Sequence, residues 1–166
     1  MQWGGRCLLH FIIYKETCRR MGKKYIGSTH CHFKKRMSGH FTDVGKVVEK
    51  GITSDSFARH FSQFFKERPN AAQLRELMDF EILQTTNPIS CMKQFGTFNC
   101  QLCMAERLHI ISSLRQEPGK LINYCTDVFS ACRHKTSFHK LYNKSAKMTP
   151  NGRNSDRLTV GGRISN

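Results

Sequence analysis

The sequence predicts a small α+β domain with a three-stranded, mostly antiparallel sheet flanked by helices, within the broad α/β class. Two short apolar segments flank a basic turn with one glycine near the N-terminus, which indicates a β-hairpin. Two longer segments repeat apolar residues with helical spacing, and a third short segment alternates apolar and polar residues as a strand does. At 166 residues, the chain is long enough for one domain with appendages.

The hairpin is predicted near the start of the chain. Residues 8–17 form the entering strand, residues 19–24 form the turn, and residues 24–27 form the returning strand. Gly22 is the turn residue best able to adopt a positive φ angle. A helix over residues 32–41 follows directly after the hairpin.

That helix is predicted from apolar residues that recur every four positions. Phe33, Met37 and Phe41 would form a single apolar stripe, and the basic residues between them would project from other faces. One buried helix face against the hairpin is therefore expected.

The middle of the chain predicts a second helix and the third strand. The helix covers residues 56–65, and Ser54 or Asp55 would serve as its N-cap. Residues 76–84 alternate apolar and polar side chains and predict the third strand of the sheet. Residues 85–99 are expected to form an irregular connection.

The strongest helical period covers residues 100–114, in which Glu106 is the only acidic residue. A lone glutamate in an apolar helix is more often exposed or ion-paired than buried. Residues 130–141 predict a basic helix that closes the domain. The expected organisation is a domain over residues 8–141 and a basic, disordered tail over residues 142–166.

The charge is strongly basic and unevenly distributed. The net charge is +15, from 27 basic and 12 acidic residues, and the first fifty residues hold eleven basic and three acidic side chains. Such an excess indicates a polyanion binder, with nucleic acid favoured over an anionic membrane surface; a merely solvated basic surface is the alternative. No stretch is long and apolar enough for a membrane span or a secretory signal, so we expect an intracellular, nuclear protein.

Eight cysteines are present, and without a secretory signal thiols are expected rather than disulfides. Cys100 and Cys103 have the spacing of half a zinc site. Four further cysteines could complete such a site in the fold: Cys18, Cys31, Cys125 and Cys132. Packed free thiols are the favoured interpretation, and a structural zinc ion is the alternative.

Residues 11–41 combine side chains suited to handling a phosphodiester. Tyr14 and Tyr25 lie on neighbouring predicted strands, and Arg36 and His40 lie one turn apart on the following helix. A phenol pair facing a guanidinium and an imidazole can bind and polarise a phosphate group.

In this pattern the chain resembles the GIY-YIG nucleases. The residues that carry the resemblance follow in the family's order: Ile12-Ile13-Tyr14, Tyr25-Ile26-Gly27, Ser28-Thr29, Arg36, Glu106 and Asn123. Isoleucine stands at the first position, where the family often has glycine. The blocks FNCQLCMAERLHII, LIN and ACRHKTSF narrow the resemblance to the endonuclease domains of Penelope-like and related retroelement reverse transcriptases, over residues 9–141.

The resemblance implies a DNA endonuclease that nicks its target with one divalent ion, Mg²⁺ or Mn²⁺, held by Glu106. Tyr25 would be the general base, and Arg36 would lower its pKa and stabilise charge on the phosphate. Three further roles are implied: Tyr14 would position the water or phosphate, His40 would orient Tyr25 or relay a proton, and Asn123 would hold the scaffold near the glutamate. A reverse transcriptase domain in a longer parent protein is the implied partner.

The endonuclease domains that the chain resembles carry a Cys-x-x-Cys pair in the hairpin and two later histidines. This set is interpreted as a zinc motif. Here Cys18 is present, Met21 replaces the second cysteine, and His40 and His60 fit the histidine positions. Methionine is a poor ligand for zinc, so a complete zinc site of the family type is not expected.

Two alternatives come from other functional classes. The chain could be a nucleic-acid-binding module that keeps the fold without cleaving, or a basic zinc-knuckle adaptor built around Cys100 and Cys103. Both alternatives predict DNA retardation without cleavage.

Overall fold

A computed structural model of the chain, which describes residues 5–86, 91–94, 97–124, 128 and 132, confirms the predicted α+β fold. A 3₁₀ turn, Arg6–Leu8, precedes the regular elements. In chain order these are β1 (Ile12–Cys18), β2 (Lys24–Thr29), α1 (Phe33–Lys50), α2 (Ser56–Ser62), α3 (Ala71–Glu76), β3 (Met78–Thr85), β4 (Cys91–Gln94), β5 (Thr97–Cys100) and α4 (Gln101–Gln116). The three-stranded sheet has the order β2-β1-β3 with antiparallel pairing throughout.

All described residues belong to one compact unit, residues 1–133. The predicted closing helix, apart from Cys132, and the predicted tail over residues 142–166 lie outside the described residues. None of the helices within the described part of the chain has the length and apolarity needed to cross a membrane.

The hairpin forms as predicted. β1 pairs with β2 through partners that run from Ile12 opposite Thr29 to Thr17 opposite Lys24. Gly22 in the turn has a φ of 63°. Because a left-handed backbone is costly for residues with a Cβ atom, the glycine supplies the turn that the basic sequence around it could not.

α1 is longer than the sequence predicted and ends at Lys50 rather than near Phe41. The extension contains Val44 and Gly45, which are poor helix formers, so local propensity suggested an earlier end. Both are buried, and packing against the rest of the core stabilises the added turns.

Two further elements differ from prediction. α3 was not predicted, although Asn70 and Gln73 form a capping box at its start, which is a signal that sequence can carry. The sequence predicted an irregular connection over residues 85–99. That prediction was wrong for β4 and β5, which pair as a separate two-stranded sheet. Four-residue strands offer too few positions for an alternating pattern to be recognised.

The central strand β1 presents two different faces. Tyr14 and Cys18 belong to the hydrophobic core formed with α1 and α2, where Phe57 and Phe61 are fully buried. Since side chains alternate along a strand, Ile13 faces the opposite side. Ser28, its partner on β2, contacts α4 there. The two tyrosines and α4 therefore lie on opposite faces of the sheet.

Gly27 leaves the space that the two tyrosines occupy. It pairs with Tyr14 across the hairpin, and a Cβ atom at this position would lie 2.6 Å from the Tyr14 hydroxyl and 2.8 Å from Cε1 of Tyr25. Steric room, rather than an unusual backbone angle, therefore requires glycine here.

Gly27→Ala is expected to destabilise the protein by about 1–3 kcal/mol, because both rings must move to accept the methyl group. Gly39→Ala is the matched control, since Gly39 is exposed in α1 with no atom within 4 Å of its added Cβ; it should be neutral or stabilising by about 0.5–1 kcal/mol. Chemical denaturation of both variants checks the difference, and equal effects would contradict it.

Candidate active site

The Tyr14 hydroxyl joins two side chains of α1 in a buried hydrogen-bond network. Arg36 Nε donates to this hydroxyl at 3.1 Å, and His40 Nε2 lies 2.9 Å from it. The guanidinium can only donate, so the hydroxyl oxygen is the acceptor of the bond from Arg36. Nδ1 of His40 faces Asp55 Oδ2 at 3.8 Å. We call Tyr14, Arg36 and His40 the Tyr14 network.

The sequence brings this network together through two periodicities. Arg36 and His40 are four residues apart on α1, so they lie one turn apart. His40 occupies a place in the buried stripe of that helix and packs on Phe57 with ring centroids 4.3 Å apart. Tyr25 meets His40 edge-to-face at 5.6 Å. All four residues predicted from the first segment therefore converge.

Asp55 is a member of the site that sequence reasoning assigned only a capping role. The cap is confirmed, since Asp55 Oδ1 accepts from the Ala58 amide at 3.0 Å. Its second oxygen faces His40. No sequence signal beyond the capping pattern pointed to this second contact.

Glu16 is a second residue that the sequence analysis missed. Its carboxyl group is 1% exposed, and neither oxygen has a hydrogen-bond partner among the described residues. It pairs with Tyr25 across the hairpin. The alternation of β1 puts it on the face of Tyr14, so an acid at an inward position of a strand was the available signal.

The electrostatics of the tyrosines are governed first by burial. Burial raises the pKa of Tyr25 above its usual range, while Arg36 lowers it. The pKa of Tyr14 is raised for the same leading reason. Arg36 therefore lowers the pKa of Tyr25, as expected, but by less than burial raises it. Tyr14 and Tyr25 are both neutral phenols at ordinary pH.

The Arg36 guanidinium stays protonated, and part of it has no hydrogen-bond partner among the described residues. Burial acts to lower the pKa of Arg36, but its neighbours Tyr14, Tyr25 and Asp55 act together to raise it, and the net pKa is raised. Among the residues that the structure describes, Arg36 forms no salt bridge, and the only hydrogen bond of its side chain runs from Nε to Tyr14. The Arg36 side chain is partly exposed, and neither terminal nitrogen is among the fully buried atoms that lack a hydrogen-bond partner.

Glu106 contacts β2 from the sheet face opposite the tyrosines, and Asn123 bonds to the backbone of the same strand. Ser28 Oγ donates to Glu106 Oε2 at 2.9 Å, and Glu106 is only 6% exposed, in contrast to the exposed position usual for such a residue. Asn123 accepts from the Ile26 amide at 2.8 Å and donates to its carbonyl at 2.9 Å. Glu106 contributes to the raised pKa of Tyr25, so the two groups lie within electrostatic range.

Cys18 in the hairpin and His60 in α2, which fit positions of the family's zinc motif, do not belong to a three-ligand site among the described residues. Cys18 is buried in the core. Gln63 Nε2 lies 3.0 Å from His60 Nδ1 and 3.8 Å from the Met21 sulfur. A glutamine amide thus fills the space beside His60, and within the described ranges neither Cys18 nor His60 belongs to a group of three metal ligands.

Three other cysteines do come together, at the start of α4. Sγ of Cys132 lies 3.6 Å from that of Cys103 and 3.5 Å from that of Cys100. All three are buried cysteines that form no disulfide. The hydrogen bond with Cys100, followed by burial, raises the pKa of Cys103. This three-cysteine cluster could hold a metal ion, and it is the one such group in the described part of the chain.

Comparison with known proteins gives no relative for this chain. No protein-family model, no curated protein and no solved structure matches it.

Proposed function

We propose that this protein is a metal-dependent DNA endonuclease of the GIY-YIG type, which hydrolyses a phosphodiester bond and leaves a nick. The order of Tyr14, Tyr25, Arg36, Glu106 and Asn123 along the chain supports the proposal. The resemblance to retroelement endonucleases extends it to a nuclear protein that works with a reverse transcriptase.

The observation that carries the proposal is the state of Arg36. A half-buried guanidinium is usually paired with a carboxylate, because an uncompensated charge is costly away from water. Arg36 is instead fixed through Nε by a neutral phenol, and its terminal nitrogens stay open. The guanidinium fork matches the oxygens of a phosphate group, so this arrangement is what a phosphate site requires.

The remaining residues divide the work around that phosphate. Tyr14 orients Arg36, and His40 Nε2 holds the Tyr14 hydroxyl in place. Tyr25 is our choice of general base, although its raised pKa makes it a neutral phenol at rest. It can take a proton from water only while added positive charge offsets burial.

The donor set around Glu106 fits a single Mg²⁺ or Mn²⁺ ion. Glu106 offers one hard carboxylate oxygen ligand, and in the described residues it is not part of a three-ligand group. Mg²⁺ commonly takes one or two carboxylates and completes its shell with water and phosphate oxygens. When bound, the ion would supply positive charge to the phosphate, to the leaving oxygen and to Tyr25.

The basic surface near the site suits a DNA partner. Lys34 and Lys35 are exposed on α1, next to Arg36, and Arg20 is exposed in the hairpin turn. Contacts of this kind with phosphates supply sequence-independent affinity that falls as salt rises.

Glu106→Gln should abolish cleavage while DNA retardation survives, because the amide keeps the shape of the side chain and loses the charge that holds the ion. Plasmid nicking with Mg²⁺ and with EDTA measures cleavage, and a gel shift measures binding. Glu49→Gln removes an exposed acid from α1 and should leave both unchanged.

Two outcomes of this experiment reject the proposal. Cleavage by Glu106→Gln near the wild-type rate would remove Glu106 from the site. Retardation of DNA by the wild type without cleavage in either buffer would favour the binding module that keeps the fold and lacks catalysis.

We propose separately that the three-cysteine cluster binds a structural Zn²⁺ ion, which departs from the sequence-based preference for packed free thiols. Thiolates around a tetrahedral zinc, with bonds of about 2.3 Å, lie somewhat less than ~4 Å apart, close to the sulfur distances here. The Cys103 amide also donates to Cys100 Sγ at 3.3 Å, which stabilises a thiolate. The ion would fix the start of α4, one turn from Glu106.

Metal analysis and native mass measurement of protein purified without added zinc should give one zinc per chain. Cys132→Ser should lower both zinc retention and thermal stability, because structural zinc contributes folding free energy directly. Cys31→Ser is the control, since Cys31 lies outside the cluster beside His30. A wild type without zinc, or zinc fully retained by Cys132→Ser, would contradict this assignment.

A further inference from the structure

Glu16 has no role in the site as described so far, yet its position is unusual. It is one of three acids in the first fifty residues, and it is buried with both carboxyl oxygens unpaired among the described residues. An unpaired charge in such a place costs several kcal/mol, so a carboxyl group there remains protonated over a wider pH range. An apolar side chain would fill the same strand position at lower cost.

The groups around Glu16 come from every element packed against it. Tyr14 lies on the same face of β1, Tyr25 lies opposite on β2, and Phe80 lies opposite on β3. The charged neighbours are Arg36 on α1, which attracts the carboxylate, and Asp55 before α2, which repels it. His40 on α1 lies against three of these neighbours, Tyr14, Tyr25 and Asp55.

We infer that Glu16 is a positioning residue for Arg36. While its carboxyl group is protonated, Glu16 leaves the Arg36 guanidinium to a bound phosphate. Once ionised, the carboxylate competes with the phosphate for that guanidinium. The inference rests on the proposed function, because a phosphate must be the ligand for which Arg36 is kept available.

The charge balance supports this role. Among the described residues, Arg36 is the cation that acts on Glu16, while Asp55 already places a negative charge in the same region. An ionised Glu16 would add a second negative charge against that single guanidinium. Burial, ahead of these neighbours, raises the pKa of Glu16 well above its usual range, which extends the pH range over which the carboxyl group stays neutral.

Ionisation of Glu16 would also act on the two tyrosines. Its negative charge raises the pKa of both Tyr14 and Tyr25. The base in the proposed reaction would therefore become harder to ionise at the same pH at which Arg36 became less available. Both effects weaken cleavage in alkaline solution.

The pH profile of Glu16→Gln tests the inference, because glutamine imitates the protonated acid and cannot ionise. The ratio of kcat/KM for Glu16→Gln to that of the wild type should rise with pH by about tenfold, the equivalent of one pKa unit of coupling. Glu81→Gln removes an exposed carboxylate from β3 and should follow the wild-type profile. Parallel profiles for Glu16→Gln and wild type would overturn the inference, as would a folded Glu16→Gln that is inactive at every pH.

A second measurement separates failure of this inference from failure of the nuclease proposal, because it needs no DNA. A raised carboxyl pKa in the folded protein gives stability that is complete below the ordinary value of about 4.3 and is lost as pH rises toward the folded value. Glu16→Gln should therefore gain stability over the wild type as pH rises.

The same measurement in an Arg36→Ala background completes a double-mutant cycle. The coupling between Glu16 and Arg36 should be small near pH 4 and grow with pH. Coupling that is absent at every pH overturns the role of Glu16 even if the wild type cleaves DNA. If the coupling shows the predicted pH dependence but the protein never nicks DNA, the inference about Glu16 and Arg36 stands and the nuclease proposal is rejected.

Discussion

The Tyr14 hydroxyl fixes the relation between the sheet and the first long helix, and the polar interior of the protein depends on that one contact. It accepts from Arg36 and lies in hydrogen-bond distance of His40, so two polar residues can occupy a helix face that packs against phenylalanines. Buried polar groups are tolerated when they satisfy one another. Gly27 allows the arrangement, because any side chain there would displace the phenol.

The edge strand β2 links the two halves of the site. Tyr25 faces the Tyr14 network, and Ser28, three residues later, holds Glu106 on the opposite side. Asn123 imitates a neighbouring strand by pairing with both backbone groups of Ile26. A metal ion in the three-cysteine cluster would anchor the helix that carries Glu106, so fold stability and site geometry would depend on the same segment.

Much of this site could be predicted from sequence, because Tyr14, Tyr25, Arg36 and His40 are separated by short distances along the chain and obey simple periodicities. The rest depends on contacts between distant segments. Cys132 joins Cys100 only through the fold, and β4 and β5 are too short for a clear pattern. Glu16 was missed because its significance comes from burial, which the charge of the residue argues against.

The most direct test of the account compares Arg36→Ala with Lys34→Ala in the plasmid-nicking assay, with DNA retardation measured in parallel. Both variants lose one positive charge from α1, but only Arg36 is anchored on Tyr14, while Lys34 is exposed. We predict that Arg36→Ala lowers the cleavage rate by ~10²-fold or more, as expected when a charge-stabilising donor is lost, and that Lys34→Ala changes mainly binding. Equal losses for the two variants would contradict the account, because α1 would then be only an electrostatic face for DNA.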